Sequence, residues 1–85
     1  MATPIQPVTL SADQIDELNR KLSTMRHDIN NNLSIIIAAL ELIRYKPEVA
    51  ERMFASISQQ PAKITEAMAK FSAELEKSLG IARPE

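Results

Sequence analysis

The chain has 85 residues, ten basic and eleven acidic, with a net charge of -1 and no cysteine. That length makes one domain at most and leaves little surface to bury, so such a chain is poorly stabilised alone. Balanced charge without a basic stripe argues against nucleic acid as a partner, and the missing cysteines exclude disulfides and thiolate metal sites, which suits a reducing cytoplasm.

Residues 1–10, "MATPIQPVTL", hold Pro4 and Pro7 with no periodicity and read as an extended or disordered arm. They lack the charged start and apolar core of a signal peptide. Ser11 opens "SADQ", a capping-box pattern in which Ser11 caps a helix and Gln14 reaches back. From there to about Tyr45 no proline or glycine intervenes, and apolar residues recur at Ile15, Leu18, Leu22, Met25, Ile29, Leu33, Ile36, Leu40 and Ile43. Steps of three and four give a coiled-coil rhythm with one stutter at Ile29–Leu33, which predicts helix 1 over about 12–45. The longest apolar run, "IIIAAL" at 35–40, is far too short to span a membrane.

Pro47 suits the first turn of helix 2, predicted over about 47–79, with Gly80 as its C-terminal cap. Its seam is Met53, Ile57, Ile64, Met68, Phe71, Leu75 and Leu79, and Pro61 within it predicts a kink or short break near Gln60. Residues 81–85 are a tail. The short connection near Lys46 implies an antiparallel two-helix hairpin over 11–80, an all-α fold. At about 100° per residue, the second half of helix 1 is apolar over roughly 220°, from Leu42 round to Ile37. One neighbour requires a stripe of only ~100°. The expected architecture is therefore a homodimer, two hairpins forming a four-helix bundle.

His27 is the single histidine. It lies two residues from both Met25 and Ile29, hence opposite the seam, on a polar strip with Asn30, Asn31, Ser34, Ala38 and Glu41. Asn31, at i+4, stands beside it, and Asp28 falls on the flank. The plain reading of a histidine opposite a core stripe is a solvated side chain. One histidine and an adjacent aspartate are too few ligands for a metal site. Hydrolytic catalysis needs a nucleophile, a base and an oxyanion pocket, which this pattern does not supply. An exposed imidazole on a rigid helix can act as a nucleophile toward phosphorus, with one ring nitrogen unprotonated and a carboxylate such as Asp28 holding the other N–H. The lone glycine, Gly80, leaves no Gly-rich loop for ATP, and no cofactor is expected.

The segment "RHDINNNL", residues 26–33, resembles the H-box of the dimerisation and histidine-phosphotransfer (DHp, HisKA-like) domains of two-component sensor histidine kinases. That pattern is His, Asp or Glu, two variable residues, then Asn or Thr and a Pro-Leu or similar pair. The resemblance covers residues 12–79, since the family's domain is itself a helical hairpin dimerising into a four-helix bundle. It implies that His27 accepts a phosphoryl group, that Asp28 is the base orienting the imidazole, and that Asn31 positions water or an acyl phosphate. Asn32 stands where many relatives carry a kinking proline, so helix 1 is expected to be straighter, or Asn32 serves to fix register.

In that family a response-regulator receiver docks between the histidine and the hairpin tip. The contact candidates are then Asn30, Ser34, Ala38 and Glu41 on helix 1, with Ser56, Gln59, Gln60 and Lys63 on helix 2. With the tip near Lys46, His27 is expected level with about Thr65. Sensor kinases follow the hairpin with an ATP-binding domain, whereas this chain ends at Glu85. Either it is a kinase fragment, or it resembles a stand-alone dimeric histidine phosphotransferase, which the "MATPIQPV" start favours as a natural N-terminus. The expected function is cytoplasmic phosphorelay without autonomous kinase activity. Phosphate would reach His27 from a receiver, or from a histidine kinase ATP-binding domain in trans, and pass to a receiver aspartate. Two other readings stay open: a non-catalytic DHp-like module that binds or inhibits a kinase or receiver, and a structural hairpin with an incidental histidine.

Overall fold

The computed structural model describes residues 6–80. Helix α1 spans Ala12–Tyr45, a short 3-10 turn spans Pro47–Val49, and helix α2 spans Ala50–Leu79. The two helices pack as an antiparallel hairpin measuring 57 × 29 × 12 Å, one helix thick. Of the expected arm, residues 6–10 are described and non-helical; residues 1–5 and the expected tail 81–85 lie outside the described residues.

The helix ends follow local chemistry. Ser11 Oγ accepts from the Gln14 backbone N–H at 3.1 Å and Gln14 Oε1 accepts from the Ser11 N–H at 2.8 Å, so both halves of the capping box form. The Lys46 N–H closes α1 onto the Leu42 carbonyl at 2.7 Å. Pro47 then starts the 3-10 turn rather than the α-helix itself. Gly80 ends α2 at φ 68°, the left-handed conformation a C-terminal cap requires.

Three expectations about packing need correction. The break near Gln60 does not occur: α2 is continuous through Pro61. Pro61 brings no N–H for the Ile57 carbonyl, and in the turn before it Gln60 Nε2 donates to the Ser56 carbonyl at 3.1 Å. Second, the line of closest approach is not the expected seam. Ala39 and Asn32 are the buried residues of α1, at 3% and 8% exposure, while Leu33 and Leu40 stand out at 44% and 51%. Small side chains let the backbones approach, so α2 takes the Asn32–Ala39 edge of the wide apolar arc. The bulky leucines are left on a second face. Met68 and Ile15, also assigned to the seams, are likewise more than half exposed. Third, the turn at 47–49 lengthens the connection. Lys21 pairs with Glu74, so His27 stands level with about Met68 instead of Thr65.

The result is a hairpin without an interior. Ala39 is its one fully buried hydrophobic residue among those described, and no large side chain is completely enclosed.

Candidate functional site

Helix α1 sets the bearings of the site residues through its rotation of about 100° per residue. Taking Asn32 as the direction of α2, Asp28 lies about 40° from it, Asn31 about 100° and His27 about 140°. These three neighbours in sequence therefore face different surroundings. His27 is exposed on the outer side of α1. Asp28 and Asn31 border a groove between the helices, and Asn32 forms part of its floor.

That groove has two adjoining parts. One, about 180 Å³, is lined by Lys21, Thr24, Met25 and Asp28 of α1 against Ala67, Lys70, Phe71 and Glu74 of α2. The other, about 260 Å³, lies between Asp28, Asn31, Asn32 and Lys63, Glu66, Ala67, Lys70. Asp28, Ala67 and Lys70 belong to both. At one end Lys21 Nζ is tied to Glu74 Oε2 at 2.7 Å and to Glu17 Oε1 at 3.5 Å. Its hydrogen bond to Glu74 holds the Lys21 ammonium above the usual lysine range, and the same bond holds the Glu74 carboxyl below the usual carboxylate range. Lys21 is thus occupied, whereas Lys63 and Lys70 join none of the ion pairs found among the described residues.

The expected contact residues divide between several surfaces. Lys63 lines the groove with Asp28 and Asn31. Ser34 and Ala38 are exposed on the outer side of α1, and Gln59 is exposed on α2 with Ser56 half-buried. Asn30 and Glu41 are exposed, but about 160° and 180° from the direction of α2, so they share no surface with the helix 2 candidates. Gln60 is a correction: at 2% exposure it is enclosed between the helices and offers nothing to a docking partner. Its carbonyl oxygen Oε1 is buried without a hydrogen-bond donor. Lys70 and Glu66 are groove residues that sequence reasoning did not select. Lys70 follows Lys63 by seven residues, two helical turns, and that spacing was the available signal.

No family model matches the chain, and no curated protein or solved structure matches it either. Among the described residues no three His, Cys, Asp or Glu side chains gather where a metal ion could sit, and no helix is long and apolar enough to cross a membrane. What the arrangement offers chemically is an accessible imidazole on a stiff helix. Beside it is a polar groove bearing Asp28, Glu66, two asparagines, and Lys63 and Lys70, which join none of the ion pairs found among the described residues.

Proposed function

We propose that the chain is a dimeric histidine phosphotransfer module. Two hairpins pack into a four-helix bundle, and His27 on its outside exchanges a phosphoryl group with the aspartate of a response-regulator receiver. The observation that carries this reading is the division of surfaces on α1. His27 is exposed on one side, while Leu33, Ile37 and Leu40, at 44%, 62% and 51% exposure, stand unpartnered on another. Phe54 and Met68 of α2, 56% and 53% exposed, lie on the same side of the hairpin as these leucines and isoleucine. With one buried hydrophobic residue among those described, the hairpin lacks a core of its own, and a second copy laid on that face supplies one. The same packing leaves His27 in water.

The chemistry is a phosphoryl exchange. The lone pair of one His27 ring nitrogen attacks phosphorus, the P–O bond to the receiver's aspartate breaks, and the carboxylate leaves. The product is a P–N bond on His27, and the reverse sequence hands the group to another aspartate. Asp28, adjacent in sequence, holds the second ring N–H and stabilises the charge that develops there. Asn31, one turn on, offers its amide to the phosphoryl oxygens or to the entering group. These residues hold no Gly-rich loop for ATP, so phosphate reaches His27 from a domain outside them.

The experiment is incubation with a panel of receiver domains from the source genome, each phosphorylated with acetyl phosphate. Label moving to wild type and not to His27→Ala supports the reading. Binding of a receiver with no label on the chain supports the non-catalytic interaction module.

A further inference from the structure

Two buried polar side chains stand in the packing line between α1 and α2, and they differ in what surrounds them. Gln60 Oε1 is sealed between the helices. Asn32, 8% exposed, lines the groove of about 260 Å³, so its amide opens onto space. Among the described residues no hydrogen bond engages that amide. A buried amide with two donors and an acceptor, bonded to nothing in the chain, asks for a partner in the groove.

The walls around it carry both signs of charge: Asp28 from α1, and Lys63, Glu66 and Lys70 from α2. None of the four joins an ion pair among the described residues, although Asp16–Arg20 and Lys21–Glu74 do pair. The adjoining part of the groove, about 180 Å³, is lined by the apolar side chains of Met25, Ala67 and Phe71. A cavity of about 150 Å³ already holds a benzene-sized body.

The groove faces away from the second copy. Measured from Ile29 at about 100° per residue, the apolar face of α1 falls between about 20° and 80°. Asp28, Thr24 and Asn31 fall at about 260°, 220° and 200°, across the direction of α2 at about 300°. On α2, counted from Gln60, Lys63 and Lys70 lie about 60° and 80° to one side, with Met68 and Phe54 about 80° and 120° to the other. A hairpin laid on the apolar face leaves the groove open.

We propose that this groove binds a free α-amino acid with an apolar side chain. Its carboxylate lies against Lys63 and Lys70, its ammonium against Asp28 and Glu66, and the Asn32 amide bonds the same head group. The side chain extends between the helices onto Met25 and Phe71. A zwitterion matches two cations and two carboxylates without leaving net charge in the groove, which a simple anion or amine does not. Charge-assisted hydrogen bonds orient the head group, and apolar contact supplies the rest. The bound ammonium also withdraws Asp28 from His27, a consequence that, unlike binding itself, rests on the phosphotransfer reading.

The test titrates the full chain with L-phenylalanine and follows its NMR chemical shifts. Phenylpropionate, which lacks the ammonium, and phenylethylamine, which lacks the carboxylate, are the comparison compounds. The expected result is saturable binding at a Kd of about 1 mM or tighter, shifting the Asn32 side-chain amide and the Met25 methyl. Either comparison compound should bind at least about tenfold more weakly, because it strands one pair of charges. Lys63→Met with Lys70→Met, both at exposed positions, should weaken phenylalanine at least about tenfold with helix content unchanged. Saturating phenylalanine should slow transfer from a phosphorylated receiver to His27 at least about fivefold. No saturable shift up to about 10 mM overturns the site, and so does wild-type affinity in the double lysine variant. Equal binding of phenylpropionate or phenylethylamine overturns the zwitterion. Saturable binding that leaves transfer unslowed overturns the contact with Asp28. Failure of wild type to take phosphate from any receiver sinks the phosphotransfer reading and leaves the amino-acid site to stand on the titration.

Discussion

Lys21 Nζ lies 2.7 Å from Glu74 Oε2, bridging α1 and α2 toward the open end of the hairpin. The pair fixes which residues stand across from each other. With 21 opposite 74, Asp28 meets Ala67 and Lys70 over the groove and His27 lies level with about Met68. A slip along the interface would carry Asp28 away from both.

This bridge predicts a pH signature. Its hydrogen bond to Lys21 holds Glu74 below its ordinary 4.5, with Lys77 and Lys70 adding to the effect, and Lys21 is held above its ordinary 10.5. A depressed acid stabilises the fold fully above its unfolded pKa and loses that contribution as pH falls through the folded one. A raised base stabilises fully below its unfolded pKa and loses the contribution as pH rises through the folded one. Denaturation of wild type and Lys21→Met should therefore differ by a constant amount between the ordinary values of 4.5 and 10.5, and the gap should close as pH falls from 4.5 through the depressed value of Glu74. A gap that persists into acid contradicts the assignment.

The apolar face should behave as an interface between copies. Ile37→Asp with Leu40→Asp places two carboxylates in it and is expected to weaken self-association at least about 100-fold. Light scattering would show a monomer, with helix content reduced because the hairpin has lost its cover. A double variant that stays dimeric at wild-type affinity moves the interface elsewhere.

Gln60 is 2% exposed and its Oε1 has no donor. Replacing it with leucine removes a stranded acceptor at the cost of one bond to Ser56, so Gln60→Leu should stabilise by about 1 kcal/mol in urea titration at fixed protein concentration. Destabilisation would show that the oxygen is satisfied in the assembled protein.

Asp28→Asn keeps the shape of the groove and removes the carboxylate next to His27. Transfer from a phosphorylated receiver should slow by about 100-fold, the low end of general-base effects, with dimerisation and receiver affinity intact. A variant with an unchanged rate assigns Asp28 to the groove alone.

Much of the fold was legible because its signals are local. Ser11 and Gln14 announce the start of α1, Pro47 and Gly80 bracket the second half, and the absence of proline or glycine from Ser11 to Lys46 leaves one long helix. The choice of packing edge was not legible. An apolar arc of roughly 220° is compatible with several orientations, and Ala39 and Asn32 decide among them by being small enough for close approach. That choice depends on what α2 presents opposite, which is a tertiary property. Gln60 was misjudged for the same reason: a polar residue before a proline reads as surface, and the register encloses it. The position of His27 was readable because it depends only on spacing from Met25 and Ile29. The groove beside it was not, since Lys63 and Lys70 meet Asp28 only after the 3-10 turn at 47–49 sets the register.

The central claim is that His27 carries phosphate between proteins. The most direct measurement mixes the chain with a phosphorylated receiver, quenches at alkaline pH and maps the modified residue by mass spectrometry. The account predicts an acid-labile, alkali-stable phosphoryl group on His27 that disappears when an unphosphorylated receiver is added. A chain that stays unmodified with every receiver, or that is modified at another residue in wild type and His27→Ala alike, contradicts it.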